Sequence, residues 1–131
     1  MKPNAILRQR VLTVLMARMP DSTFKTTVSG WRLLAVEETP ALMVYLDEGE
    51  LTSLYLDEHD AWQGVLTVSV YLGAGTTDEQ LDRLGDKVLQ ALPDHYRFPR
   101  LATLHRRGFR YERSEEGTYR ALHFTHTYQM E

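Results

Sequence analysis

The chain of 131 residues contains no cysteine. Disulfides, thiolate nucleophiles, iron–sulfur clusters and cysteine-ligated zinc are therefore excluded. No uninterrupted apolar run approaches the roughly 20 residues needed to cross a bilayer. No signal-peptide core follows Lys2, because Arg8 and Arg10 interrupt the first apolar residues. These absences predict a protein made in the cytoplasm without export and with no membrane role. Catalytic signatures are missing too. There is no Gly-x-Ser-x-Gly elbow and no Gly-x-x-x-x-Gly-Lys phosphate loop. A formal net charge of −3 argues against a general nucleic-acid binder. The remaining composition, 43% apolar and 25% charged, is that of a globular protein and excludes a disordered tail or a rod. At this length residues 1–131 read as a single domain.

Periodicity supplies the elements. A first helix is expected from about Asn4, as N-cap, to Arg18, with Pro20 ending it. Leu7, Val11, Val14 and Leu15 form one stripe, while Leu12, Met16 and Met19 widen it beyond a single core-facing side. Such a helix must bury a second side, against another subunit or under a loop of its own chain. Residues Phe24–Ser29 and Leu33–Val36 read as short strands around a Ser29-Gly30 turn. Ala41–Leu46 is apolar on both faces, as a covered central strand would be. Trp62–Leu72 alternates, with Leu66, Val68, Val70 and Leu72 on one face, and predicts a half-buried strand. Thr77 to Gln80 fits a capping box ahead of a helix carrying Leu81, Leu84, Val88, Leu89 and Leu92, which Pro93 ends. Phe109–Arg113 and Thr118–Met130 flank a Glu115-Glu116-Gly117 turn and read as a hairpin. The sum is an α+β fold, a mainly antiparallel sheet with two main helices packed on it.

No constellation of residues points to catalysis. His123 and His126 are three apart in a strand, so they face opposite ways and cannot share a metal. Asp57-Glu58-His59-Asp60 offers oxygen ligands to a hard cation, but a solvated acidic loop explains it more simply. Gly73-Ala74-Gly75 is only a fragment of a dinucleotide fingerprint and reads as a turn before a capped helix. Neither an enzyme nor a cofactor is indicated. Charge is more informative by segment. Asp47, Glu48, Glu50, Asp57, Glu58 and Asp60 fall in a stretch without Lys or Arg, giving −6 over residues 47–60. Arg97, Arg100, Arg106, Arg107, Arg110 and Arg113 face one acid, Glu112, giving +5 over residues 95–113. Separated patches of opposite sign favour head-to-tail self-association, whereas a two-fold contact on either patch would oppose like charges. Leu12, Met16, Asp47, Glu48, Asp57, Glu58, Asp60, Arg106, Arg107 and Arg110 are the expected subunit-interface residues. A second reading is a small non-enzymatic binding module that contacts nucleic acid or another ligand through Arg97–Arg113, where Phe109 and Tyr111 interleave with the cations.

The order of segments resembles that of the tail terminators of lambdoid phages, the minor tail protein U family. The resemblance is carried by Pro40-Ala41-Leu42-Met43-Val44-Tyr45-Leu46 and by residues 60–72, Asp-Ala-Trp-Gln-Gly-Val-Leu-Thr-Val-Ser-Val-Tyr-Leu. It continues through the acidic helix start Thr77–Leu84, Gly108-Phe109-Arg110-Tyr111-Glu112-Arg113 and the terminal Thr127-Tyr128-Gln129-Met130-Glu131. It implies a non-enzymatic structural protein of phage or prophage that forms a hexameric ring on the head-proximal end of the tail tube. The ring stops tube polymerisation and presents the head-joining surface. The implied partners are other copies of the chain, the tail tube protein and a head-completion protein, with genomic DNA passing through without specific binding. The implied setting is the host bacterial cytoplasm during assembly and then the virion tail.

Overall fold

A computed structural model of the chain describes residues 2–52 and 61–131. The elements run α1 (Lys2–Ala17), β1 (Thr26–Ser29), a 3-10 turn (Val36–Glu38), β2 (Ala41–Leu51), β3 (Trp62–Gly73), α2 (Asp78–Ala91), β4 (Tyr96–Phe98), β5 (Ala102–Arg113) and β6 (Tyr119–Met130). The strands form one sheet in the order β1-β2-β3-β6-β5-β4. The α+β expectation holds, with one correction to the sheet. β1 runs parallel to β2 while the other four pairings are antiparallel, so the sheet is mixed. A parallel pair needs a crossover rather than a tight turn. Residues 30–40 supply it, and that is why Leu33–Val36 is not the expected strand.

The crossover is held by its own polar contacts. Arg32 and Glu38 form an ion pair at 2.5 Å, and the Glu38 carboxylate also accepts from the Ala35 backbone N–H at 3.0 Å. Bonding to Arg32 and Ala35 lowers Glu38 to about 2.

α1 and α2 pack on one face of the sheet. Leu7, Val11, Leu12 and Leu15 from α1, with Leu81, Val88 and Ala91 from α2, meet Leu42, Val44, Leu66, Val68, Val70, Leu122 and Phe124 from the strands. The wide apolar girdle of α1 is covered largely within the chain. Leu12 is 4% exposed and Met19 8%, whereas Met16 is 47% exposed. Leu12 is thus a core residue and not the exposed contact expected of it. Asn4 lies inside α1 and does not cap it. The helix starts earlier, where Pro3 falls in a first turn that needs no amide donor.

The start of α2 is as expected. The Thr77 hydroxyl accepts from Gln80 N, and the Gln80 side chain accepts from Thr77 N at 2.8 Å. Its C-terminus is closed from outside the helix, since the Arg106 guanidinium donates to the carbonyls of Leu89 and, at 3.0 Å, Leu92.

β3 is not half-buried at its centre. Thr67 and Ser69, on the face away from the helices, are 3% and 0% exposed. β2 continues past its expected end at Leu46 to pair Glu48–Leu51 with Trp62–Val65 at the start of β3, with a register shift between Leu46 and Glu48. Gly64 permits that shift, because a Cβ there would lie 2.0 Å from the Glu48 carbonyl oxygen. β5 begins at Ala102 rather than near Phe109, and β4, which has no period long enough to read, pairs with its first residues. Gly117 adopts φ 69° in the β5–β6 turn, the left-handed geometry expected there.

Candidate assembly interface

Two stretches of sheet edge have a partner on one side only among the described residues. β1 covers β2 at Ala41–Val44, leaving Tyr45–Leu51 bonded to β3 alone. β4 covers β5 at Ala102–Leu104, leaving the strand beyond it bonded to β6 alone. The registers put these edges at diagonally opposite corners of the sheet, since Glu50 aligns through Gln63 and Gln129 with Thr103 at the β4-covered end of β5. Unpaired edges are ready templates for another chain. The β2 edge carries Asp47, Glu48 and Glu50, and the β5 edge carries Arg107 and Arg110, all exposed. Phe109, 66% exposed, lies on the same β5 edge, so it is not the core residue its aromatic character suggests.

The sequence-predicted interface residues divide on inspection. Glu48 and Glu50 make no ion pair or hydrogen bond through their side chains among the described residues, and neither does Arg107. Arg106 is committed within the chain to the end of α2, and its backbone N–H donates to Asp94 at 2.7 Å. Arg97 pairs with Glu131 and Arg113 with Asp78, each at 2.6 Å. The basic segment is therefore less free than its charge suggests, which weakens the nucleic-acid reading. Asp57, Glu58 and Asp60, and the cation site suggested with His59, lie outside the described residues.

The face of the sheet away from the helices holds a cavity of about 520 Å³ that the sequence did not reveal. The 30–40 crossover forms one wall with Trp31, Leu33 and Val36, and the strands supply Tyr45, Tyr71, Arg110, Glu112 and His123. Asp47 and Arg110 both line it, so two residues expected on opposed surfaces share one concave surface within the subunit. Trp31, Leu33 and Val36 are 62%, 80% and 55% exposed, an apolar rim of the kind soluble proteins reserve for partners. Trp31 and the apolar residues of 33–36, which alone read as a strand, are the signal the sequence carries.

Beneath the cavity runs a polar chain. His123 Nε2 lies 2.7 Å from Glu112 Oε1, and His123 Nδ1 lies 2.5 Å from Ser69 Oγ. The Tyr119 hydroxyl donates to the other Glu112 oxygen at 2.9 Å. Burial holds His123 below its ordinary pKa, outweighing the opposite pull of Glu112. Burial acts to raise Glu112, but hydrogen bonds from His123 and Tyr119 overcome it and bring the carboxyl below its usual range. A neutral imidazole donates from Nε2 to Glu112, and its Nδ1 shares the Ser69 hydroxyl with Tyr45, whose oxygen lies 3.3 Å from Ser69 Oγ. Serine, histidine and acid in this order outline a nucleophilic relay. However, Ser69 is fully buried and does not line the cavity, so no substrate reaches its oxygen. The network ties β3, β5 and β6 together across a face that no helix covers among the described residues. His126 is buried on the opposite face, as its offset from His123 requires.

No helix among the described residues is long and apolar enough to cross a membrane. The profile of a family described as phage minor tail protein U matches residues 2–130. A chain solved in the virion of a native gene transfer agent particle shares 15% identity. Its alignment covers 97% of this chain and 91% of its own, at a TM-score of 0.54. A second solved chain, at 11% identity, covers 94% of this chain and 95% of its own, also at 0.54. These likenesses are of fold. No curated protein matches the sequence.

Proposed function

The chain belongs to the phage minor tail protein U family, and from that membership we propose that it is a tail terminator. It closes into a hexameric ring on the head-proximal end of the tail tube, blocks further tube growth and offers its outer surface to a head-completion protein. Residues 1–131 act as one domain in that ring, with no catalytic step. Contacts between copies run head to tail, the acidic β2 edge of one meeting the basic β5 edge of the next. The observation that carries this reading is the pair of half-covered sheet edges of opposite charge at opposite corners. A heterologous contact needs two different complementary surfaces on each subunit, and a closed rotation turns them into a ring. The exposed Met16 and the Trp31–Val36 rim are left for tube or head partners.

Charge reversal tests the arrangement. Glu48→Lys with Glu50→Lys, or Arg107→Glu alone, should each weaken ring formation in sedimentation at low salt. Mixing the two variants should restore it in part, since each then offers the other a complementary edge. Added salt should weaken the wild-type ring, because exposed charges are screened over about 8 Å at physiological ionic strength. Rings that form equally well in all variants and at all salt concentrations, with tails of normal length, overturn the reading.

A further inference from the structure

At the opposite end of the sheet from the cavity's crossover wall, the turn entering β4 brings two histidines together. His95 Nδ1 and His105 Nδ1 lie 2.6 Å apart, with the rings edge to face at a centroid distance of 4.7 Å. Asp94 completes the group. Its Oδ1 is held by two backbone donors, His95 N at 2.8 Å and Arg106 N at 2.7 Å. Its Oδ2 points to the His95 ring, 3.5 Å from Nε2. One donor atom from each of Asp94, His95 and His105 falls within 4.8 Å of the others. The backbone at His95 has φ 56°, in the left-handed region, which is uncommon outside glycine although histidine enters it more readily than most side chains. Strain of this kind persists where surrounding structure demands it, and it clusters at functional sites.

We propose that Asp94, His95 and His105 bind one divalent transition-metal ion of the zinc class. Two imidazole nitrogens and a carboxylate suit zinc, nickel or cobalt. Magnesium and calcium prefer all-oxygen sites. In a tetrahedral zinc site with bonds of about 2.0–2.1 Å the two nitrogens stand about 3.3 Å apart. To admit the ion the rings need to part by under about 1 Å and the Asp94 carboxylate to turn from the Nε2 side of His95 toward Nδ1; Asp94 and His95 are exposed and His105 is half-buried. Asp94 is prepared for the role. The backbone N–H groups of Arg106 and His95 hold its Oδ1 in place and leave Oδ2 to meet an ion. Three protein ligands leave the remaining coordination to water or to a group from an adjoining molecule. A bound ion joins the 94–95 turn to β5, directly beside the Arg106 contact that closes α2. The site thus pins the corner where helix, turn and sheet meet.

The test uses the full chain without a histidine tag, stripped with chelator and held at pH 7.5. Zinc is titrated by calorimetry, cobalt is followed by its visible absorption, and Tm is read with and without zinc. One ion per chain, a higher Tm with zinc and no competition from excess magnesium are expected. His105→Gln, or His95→Asn, which tolerates the left-handed backbone, should weaken zinc binding at least about tenfold. Even outer-shell partners have effects of that size at metal sites. Each variant should keep the wild-type Tm in the absence of metal. His59→Ala, which removes the histidine of the acidic segment, should bind as wild type. No zinc binding, equal stabilisation by magnesium, binding retained when His95 and His105 are both replaced, or binding lost with His59→Ala overturns the proposal.

Discussion

Acidification should destabilise this protein through His126, and the size of the effect follows from its position. The side chain is 2% exposed on the helix-facing side of β6, and its Nδ1 has no hydrogen-bond partner among the described residues. Burial, with the nearby Arg106 charge adding to it, pushes the imidazole from 6.5 down to about 4. The unfolded chain therefore takes up a proton near pH 6.5 that the folded chain refuses until about pH 4. Stability falls as pH falls through that window and levels off below it. Applying linkage to those two values makes the folded state about 2 kcal/mol less stable at pH 5 than at pH 7.5. The assay is urea denaturation at pH 7.5, 6.5, 5.5 and 5, at one protein concentration, for wild type and His126→Leu. The variant fills a similar volume and removes the unsatisfied Nδ1 but also the hydrogen bonds of the ring to the Leu66 and Phe124 backbone, so a loss of about 1 kcal/mol is expected at pH 7.5. Its pH dependence should be flatter by about 2 kcal/mol across the window. The slope that remains reports His123, which burial also shifts downward. The carboxylates held low by ion pairs and hydrogen bonds act mostly below pH 5 and cancel in the comparison. Parallel pH profiles for wild type and His126→Leu would refute the reasoning.

Other expectations are local. Gly64→Ala should cost more than about 2 kcal/mol, because the added Cβ would strike the Glu48 backbone, which cannot yield as a side chain can. Chemical denaturation measures that loss, and a neutral result would mean the β2–β3 register shift is absent. Thr77→Ala should lower stability by about 1 kcal/mol through loss of the α2 cap, whereas Thr77→Asp should be close to neutral in the same assay. Leu12→Ala should destabilise the subunit by about 2–5 kcal/mol, as for a buried leucine. Met16→Ala should stay within about 0.5 kcal/mol, as for an exposed site. Equal effects at the two positions would contradict the packing of α1.

Features that depend on near neighbours were legible in the sequence. The span of α2, its Thr77–Gln80 capping box and the glycine turn before β6 all follow from residues within a few positions of one another. So does the burial of Ala41–Tyr45, because an uninterrupted apolar run needs cover on both faces wherever it lies. The opposite facing of His123 and His126 needed only the two-residue period of a strand. The family resemblance was legible too, since it rests on the order of these same patterns. Tertiary structure alone decided how the pieces meet. Leu12 and Met16 look alike in sequence, yet Leu12 is core and Met16 exposed, because the sheet, not the helix, sets which side is covered. Leu33–Val36 reads as a strand until the parallel pairing of β1 with β2 requires a crossover there. The charge of residues 95–113 counted as one patch until packing committed Arg97, Arg106 and Arg113 to partners distant in sequence. His95 and His105, ten residues apart with no shared period, meet only because β4 turns back on β5. Local pattern encodes which element forms and which face is apolar. Which charges remain free, and which titratable groups touch, depends on contacts between distant residues, and only the packed chain defines those.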